Sequence, residues 1–261
     1  MQQRSEAWYR ARAGRITGSR FARAMAKRNS EAYLGLVAEL AAERCAGRSQ
    51  DGGYVNAAMR WGINHEASAR RWYERQHSCR VSEIGFVVHR AHDFIGVSPD
   101  GLVGDDGLVE IKCPQMKTFR RVMESRVMPP RYRWQVQGQL WVCGRDWLDF
   151  VCFYPPGQGI ALRIERDEDD FDRLESRCIE VNRDVERRLA IGSRSPPDRP
   201  AVRPRRESEV QPPPSPKPDG PVLPPQWTQP QAGAEAPAKR FGSLSWVWIV
   251  VAALALWWLF R

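Results

Sequence analysis

The stretch SPDGLVGDDGLVEIKCP, residues 98–114, holds the charged side chains from which the fold and the site can be worked out. Side chains of an extended strand alternate between its two faces. In the run GLVEIKC, Val109 and Ile111 therefore point one way, and Glu110 and Lys112 lie side by side on the other face. Such a pair is either a surface ion pair, which contributes little to stability, or half of a metal-dependent hydrolytic site.

Helical and strand patterns alternate around this stretch. Residues 7–27 are predicted to form a short helix or turn followed by a second helix, with Ser19 as its N-cap. Apolar periodicity predicts further helices over 31–45, 59–76, 133–143 and 171–189. Strands are predicted in the runs VSEIGFVVH, FIGVS, LVEIKC, WLDFVCFY and IALRIE, with GLVGDDG as a turn. This order indicates an α/β domain with a mixed central β-sheet flanked by helices.

Proline marks the end of the folded part. Fourteen of the 20 prolines lie between Pro196 and Pro237. We therefore predict a folded domain over residues 1–192 and a disordered, Pro-rich linker over 193–240, because such a segment lacks the apolar content that offsets ordering entropy.

Residues 241–260, FGSLSWVWIVVAALALWWLF, carry no charge. Twenty helical residues at about 1.5 Å each span a bilayer core of about 30 Å, and tryptophans lie near both ends, as in an interfacial belt. Lys239 and Arg240 precede the segment. The alternative is an amphipathic or hydrophobic oligomerisation helix, but the segment has no polar face. The sequence thus predicts a C-terminal transmembrane helix that tethers a cytoplasmic domain to the inner (cytoplasmic) membrane.

Charge and cysteine content narrow the class of protein. The net charge is +9 at pH 7, which is compatible with a polyanionic partner. The six cysteines form no C-x-x-C pair, so a structural zinc site is not expected. We expect free thiols in a reducing compartment.

Three acids and a lysine form the candidate site: Glu66 on a helix, Asp100 at a strand end, and Glu110 with Lys112 on the next strand. Asp100 and Glu110 can converge because a short turn joins their strands. Two carboxylates and a backbone carbonyl make the all-oxygen environment that Mg²⁺ prefers. Such an ion activates water and polarises a phosphate, and Lys112 can orient the water and offset developing charge.

The chain resembles the PD-(D/E)XK nucleases, and within them the phage lambda exonuclease and YqaJ-type viral recombinase family, over about residues 8–190. The matching motifs occur in the family's order: WYRARAGRITGS, WGINHEASAR, SPDGLV, LVEIKCP and QVQGQLWV. The resemblance implies a restriction-endonuclease-like nuclease core.

The resemblance also implies a metal site for Mg²⁺, or for Mn²⁺ in its place. Asp100 and Glu110 match the metal-binding acids, Ile111 supplies a carbonyl ligand, and Lys112 matches the catalytic lysine. Some relatives carry a further acid before SPDG, where this chain has Arg90, so the ligation of a second metal stays open.

Further roles follow from the same resemblance. Glu66 matches a helical acid that approaches the metal, and Gln135 matches a glutamine that helps to hold the nucleophile and substrate. Arg12 and Ser19 match residues that grip the 5′-phosphate of a DNA end, and Ser98 matches a phosphate contact near the metal.

The activity implied is Mg²⁺-dependent exonucleolytic hydrolysis of duplex DNA, 5′ to 3′, in viral-type recombination. Its implied partners are double-stranded DNA ends and a single-strand annealing protein, and relatives form trimers. Two alternatives remain at this stage: an endonuclease or repair nuclease of the same superfamily, and a catalytically idle, membrane-tethered DNA-binding protein.

Overall fold

The computed structural model describes residues 1–49 and 56–192. Its helices in these ranges are α1 (Glu6–Arg12), α2 (Phe21–Ala24), α3 (Glu31–Ala46), α4 (Ala57–His77), α5 (Met116–Ser125), α6 (Arg133–Cys143) and α7 (Glu168–Gly192). The strands are β1 (Ile16–Thr17), β2 (Val81–Ser82), β3 (Val87–Val88), β4 (Ile95–Val97), β5 (Gly101–Val103), β6 (Gly107–Lys112), β7 (Trp147–Tyr154) and β8 (Gln158–Glu165). Short 3₁₀ turns occur at Gly18–Arg20 and Pro130–Tyr132.

The strands form two sheets. One has five strands in the order β2-β5-β6-β7-β8, in which only β6 and β7 run parallel, and the other has three in the order β1-β4-β3. The predicted mixed α/β architecture with flanking helices is confirmed, but the expectation of one central sheet is wrong. The run VSEIGFVVH is not one strand, because Val81 pairs with Val103 in the larger sheet and Val87 with Val97 in the smaller one.

Helices cover both faces of the larger sheet. On one face, Ala69 and Tyr73 of α4 pack against Val109 of β6 and Val151 of β7. On the other face, α5 and α6 pack on residues that alternate with these along the strands, among them Leu108 and Phe150. Because both faces are covered, β7 is buried from Leu148 to Phe153, and so is β6 as far as Ile111.

A second core joins α2, α3 and α7 to the smaller sheet. Tyr33, Leu36 and Leu40 of α3 meet Cys178 and Val181 of α7, and all five are buried. The predicted apolar stripe of the last helix is confirmed.

Local signals explain several helix ends. Ser30 and Asn56 accept hydrogen bonds from the first turns of α3 and α4, as N-caps do. Ser19 is not an N-cap, contrary to expectation: it lies in the 3₁₀ turn, and its hydroxyl is 3.4 Å from that of Thr17. Helix α2 begins after Arg20 without a side-chain cap.

The predicted linker over residues 193–240 and the predicted transmembrane helix over 241–260 lie outside the described residues. Within residues 1–49 and 56–192, no helix combines the length and apolar character that a membrane span requires.

Candidate active site

The hairpin of β5 and β6 brings the two central acids together. Gly101 pairs with Val109, so Asp100, one residue earlier, lies beside Glu110. A carboxylate oxygen of Asp100 accepts a 2.6 Å hydrogen bond from the backbone N–H of Ile111. Asp100 therefore directly precedes β5, a strand that lies within the segment GLVGDDG predicted as a turn. Asp100 does not end a strand adjacent to β6, because β4 belongs to the other sheet.

Glu110 is buried, with 2% of its surface exposed, so its ion pair with Lys112 is not a surface contact. The ammonium of Lys112 donates to Oε1 of Glu110. Gln135 donates to the same oxygen at 2.6 Å, and Gln139 donates to Oε2 at 2.7 Å. Both carboxylate oxygens are thus held by helix α6.

Gln139 was missed in the sequence. It lies four residues after Gln135 and on the same face of α6, as residues at that spacing do. Two glutamines at i and i+4 on one helix face are the signal that could have identified it.

Burial and neighbouring charges shift the pKa values of Asp100 and Lys112. Loss of solvent, together with the neighbouring charge of Glu110, raises the pKa of Asp100 well above its usual range. Burial disfavours the ammonium of Lys112, but the charges of Glu110 and Asp100 outweigh that effect and raise the pKa of Lys112. Two crowded carboxylates next to one lysine favour the approach of a further cation.

Glu66 completes the acidic group from α4. Its charge contributes to the raised pKa of Asp100. Arg4 donates to Oε2 of Glu66 at 2.8 Å and Arg70 donates to Oε1 at 3.2 Å. The guanidinium of Arg70 also donates to the backbone carbonyl of Asp100 at 3.3 Å.

A cavity of about 580 Å³ opens onto these groups. Glu66, Asp100, Ile111 and Lys112 line it, together with Tyr132. Glu110 and Gln135 are not among the residues that line it, and Glu110 meets the lining through its ion pair with Lys112.

The donor set suits a hard divalent ion, because carboxylate and carbonyl oxygens are its preferred ligands. Among residues 1–49 and 56–192, no three His, Cys, Asp or Glu side chains already stand in a metal-binding arrangement. Glu110 is engaged by Lys112 and two glutamines, and Glu66 by two arginines. A bound ion would compete with these partners for the same oxygens.

The residues expected to hold a 5′-phosphate form a second cluster. Arg12 is 7% exposed, its guanidinium lies 4.2 Å from the ring centroid of Trp8, and it donates to Thr17 at 3.4 Å. The indole N–H of Trp8 donates to the hydroxyl of Ser98 at 2.8 Å, and Ser19 contacts Thr17 at 3.4 Å. The structure thus joins Arg12, Ser19 and Ser98 through Trp8 and Thr17.

Neither Trp8 nor Thr17 was identified from the sequence as part of this cluster. Trp8 lies four residues before Arg12 on α1, which places the two side chains on one helix face. The cluster adjoins the carboxylate site at Gly18, which lies between Thr17 and Ser19. A Cβ built on Gly18 would lie 3.8 Å from a side-chain carbon of Gln135, so the backbone there is close to this glutamine.

The loop that carries this cluster is anchored by a buried ion pair. Arg20 and Glu43 are 3% and 0% exposed, and their closest atoms are 2.6 Å apart. The backbone N–H of Gly14 also donates to Glu43 at 2.9 Å. Loss of one partner of a buried pair costs about 3–5 kcal/mol, so the chain between α1 and α2 is firmly held at Gly14 and at Arg20.

The fold is that of alkaline exonucleases. The alkaline exonuclease of Laribacter hongkongensis, also solved in complex with dAMP, is 34% identical to this chain; the match has a TM-score of 0.68 and covers 73% of this chain and 97% of that one. A phage-related exonuclease of Haemophilus somnus shares the fold at 13% identity, with a TM-score of 0.55 over 69% of this chain and 96% of that one.

Residues 7–146 match the model of the YqaJ-like viral recombinase domain, and the chain belongs to this family. The resemblance found in its motifs is confirmed, and the similarity to an alkaline exonuclease supports a nuclease activity. An uncharacterized protein of Acanthamoeba polyphaga mimivirus is 28% identical over 109 residues, which are 37% of this chain and 20% of that protein. The chain therefore spans about a fifth of the length of this relative.

Proposed function

We propose that this chain is a divalent-metal-dependent exonuclease that hydrolyses duplex DNA from an end, 5′ to 3′. The observation that carries the proposal is the placement of Asp100, Glu110 and Lys112 beside a cavity, with the Arg12 cluster adjoining them. The name of the Laribacter relative, an alkaline exonuclease, supports the same reaction class.

Asp100, Glu110 and the carbonyl of Ile111 would hold the ion, Mg²⁺ or Mn²⁺, with Glu66 close by. When bound, the ion polarises the scissile phosphate and lowers the pKa of an attacking water. The ammonium of Lys112, which lines the cavity, donates to that water and offsets the charge that develops on the phosphate. Gln135 and Gln139 keep the Glu110 carboxylate from rotating.

The Arg12 cluster accounts for the proposed preference of the enzyme for DNA ends. A guanidinium and hydroxyl groups form charge-assisted hydrogen bonds to phosphate oxygens, and Arg12, Ser19 and Ser98 supply both kinds of donor. A terminal 5′-phosphate held there lies next to the carboxylate site, so the first internucleotide bond is the one presented for hydrolysis.

The surface beside the cavity supports a polyanionic substrate. Helix α5 exposes Lys117, Arg120 and Arg121, and Arg131, in the 3₁₀ turn before α6, lines the cavity. Lysines and arginines along such a face bind the phosphate backbone without regard to sequence.

Three further parts of the proposal rest on the family and on the sequence. The 3′ single strands produced would pass to a single-strand annealing protein during recombination, and a homotrimer would enclose the duplex. Residues 1–192 would form the nuclease domain on the cytoplasmic side, with residues 193–240 as a linker and 241–260 as a membrane anchor.

Digestion of a linear duplex tests the reaction. A 5′-phosphorylated duplex labelled at either end, incubated with and without Mg²⁺, should lose mononucleotides from the 5′ end only when the ion is present. Covalently closed circular DNA should stay intact. Cleavage of the circle would instead establish an endonuclease, and no cleavage of either substrate would establish an idle binding protein.

A further inference from the structure

We propose that Arg4 is a positioning residue of the active site, which holds the carboxylate of Glu66 from a short segment seated beside Asp100. The inference rests on the proposed nuclease function, because its main consequence is a change in the rate of hydrolysis. Neither Arg4 nor its segment belongs to the sequence motifs that define the site.

The segment before α1 is fixed by contacts to two loops. The side-chain amide of Gln3 donates to the carbonyl of Ile84 at 3.0 Å and to the carbonyl of Pro99 at 2.9 Å. A Cβ on Gly85 would lie 2.2 Å from the carbonyl oxygen of Met1, so this close approach requires glycine. Gln3 therefore ties the segment to the residue immediately before Asp100.

Arg4 adopts a backbone conformation that side-chain-bearing residues rarely take. Its φ is +65°, in the left-handed region, which is disfavoured by contacts of Cβ. Such a conformation persists where surrounding contacts impose it and is concentrated at functional sites. Here it accompanies a guanidinium that reaches the cavity and donates to Glu66 at 2.8 Å.

Arg4 and Arg70 engage different oxygens of the Glu66 carboxylate. Arg70 is itself held by Glu83 and by the carbonyl of Asp100. When each oxygen of a carboxylate accepts from its own guanidinium group, the carboxylate cannot rotate without breaking a hydrogen bond. With one such partner, the second oxygen is not held in place. Because Glu66 lies close to Asp100, its orientation decides whether an acid faces the reacting phosphate and its ion.

A double-mutant cycle between Arg4 and Glu66 tests the inference. Arg4→Ala keeps a Cβ, so it removes the guanidinium without changing the backbone strain. We expect kcat on linear duplex DNA to fall about tenfold and KM to change less than about twofold, since the charge-assisted hydrogen bond that is lost is made to Glu66 and not to the DNA. Arg4→Lys should restore the rate to within about threefold of the wild type.

In a Glu66→Gln background, Arg4→Ala should lower kcat by no more than about twofold further, because residues that act through one another are not additive. DNA affinity measured by fluorescence anisotropy in EDTA should be unchanged in Arg4→Ala. The matched control is Arg10→Ala: Arg10 pairs with Glu6 at 2.7 Å on the outside of α1, with side chains 70% and 88% exposed, and its loss should leave kcat unaltered.

Multiplicative losses in the double variant, or a loss carried by KM and by DNA affinity in EDTA, would make Arg4 a DNA contact and overturn the inference. If the wild type digests linear DNA and the Arg4→Ala variant does so at the same rate, the inference about Arg4 is overturned and the proposed function stands. A wild type that does not digest linear DNA would overturn the proposed function, and the inference with it.

Discussion

The carboxylate site and the Arg12 cluster adjoin each other, yet the chain builds them in different ways. The two central acids and the lysine lie within one hairpin, residues 100–112, and the register of β5 and β6 is enough to bring them together. The Arg12 cluster draws on α1, on the turn after β1 and on Ser98. A hairpin site is therefore encoded locally, whereas the cluster exists only when α1, the turn after β1 and the segment after β4 have come together.

The two regions also differ in the charge that they favour. Crowded carboxylates and a raised pKa at Asp100 mark a place for cations. A guanidinium next to three hydroxyl groups is rich in donors and suits an anion. The first region should thus control the chemical step, and the second should control which DNA ends are used.

The largest effect is expected in the carboxylate site. Asp100→Asn, Glu110→Gln or Lys112→Ala should each lower the rate on linear duplex by about a thousandfold or more, because each removes charge from the reacting centre. Rates should be compared at saturating DNA in Mg²⁺ and in Mn²⁺. Wild-type turnover in any of the three would remove that residue from the site.

Glu110→Gln tests the catalytic role of Glu110 better than Glu110→Ala does, because Glu110 is buried and a side chain of similar size disturbs its surroundings least. Alanine there would remove both acceptor oxygens, of the half-buried Gln135 and of the buried Gln139, whereas glutamine keeps one of the two. A buried donor left without an acceptor costs about 1–3 kcal/mol. Thermal unfolding of Glu110→Gln and Glu110→Ala, run side by side, separates the lost chemistry from the lost stability.

The next largest effect is expected at Arg12. Arg12→Gln should slow digestion of 5′-phosphorylated ends by about a hundredfold and of 5′-hydroxyl ends by less than about threefold, since a charge-assisted contact is lost only when the phosphate is present. The measurement is the ratio of the two initial rates. Equal losses on both substrates would mean that Arg12 does not contact the 5′-phosphate. The Arg12 cluster would then not control which DNA ends are used.

A smaller effect is expected at Trp8. Trp8→Phe keeps an aromatic ring under Arg12 but removes the N–H that donates to Ser98. A neutral hydrogen bond contributes about 1 kcal/mol, so the rate on 5′-phosphorylated ends should fall about fivefold. Trp8→Leu, which removes the ring as well, should approach the effect of Arg12→Gln. If Trp8→Phe were fully active, the indole N–H would not position Ser98.

The sequence predicted most long elements because their signals are local. Helix α3 was expected over residues 31–45 and runs over Glu31–Ala46, and β7 has its expected bounds. Helix α5 was missed, because its charged sequence shows only Phe119 and Val122 as buried anchors. The division into two sheets was missed as well, since pairing partners such as Val81 with Val103 are set by tertiary packing.

The same distinction holds for the site. The pairing of Asp100 with Glu110 could be expected from a short turn, although the strand that carries it was misplaced. Trp8 and Arg4 could not be singled out without structure, because each acts through a partner distant in sequence, Ser98 and Glu66 respectively. Gln139 also acts through a distant partner, Glu110, but its i, i+4 spacing from Gln135 is visible in the sequence.

The smallest effect on catalysis is expected from the end of the chain, since both regions lie within residues 1–192. Deleting residues 241–261 should leave the rate on linear duplex in solution unchanged. The twenty uncharged residues 241–260 should nevertheless hold the full chain in the membrane fraction, because their length matches a bilayer core of about 30 Å. Fractionation of both forms, followed by a digestion assay, measures the two properties separately. A full chain that remains wholly in the soluble fraction would remove the proposed anchor. A truncated chain that no longer cuts DNA would show instead that the tail contributes to one of the two regions, most directly by supporting an assembly in which they are shared between copies of the chain.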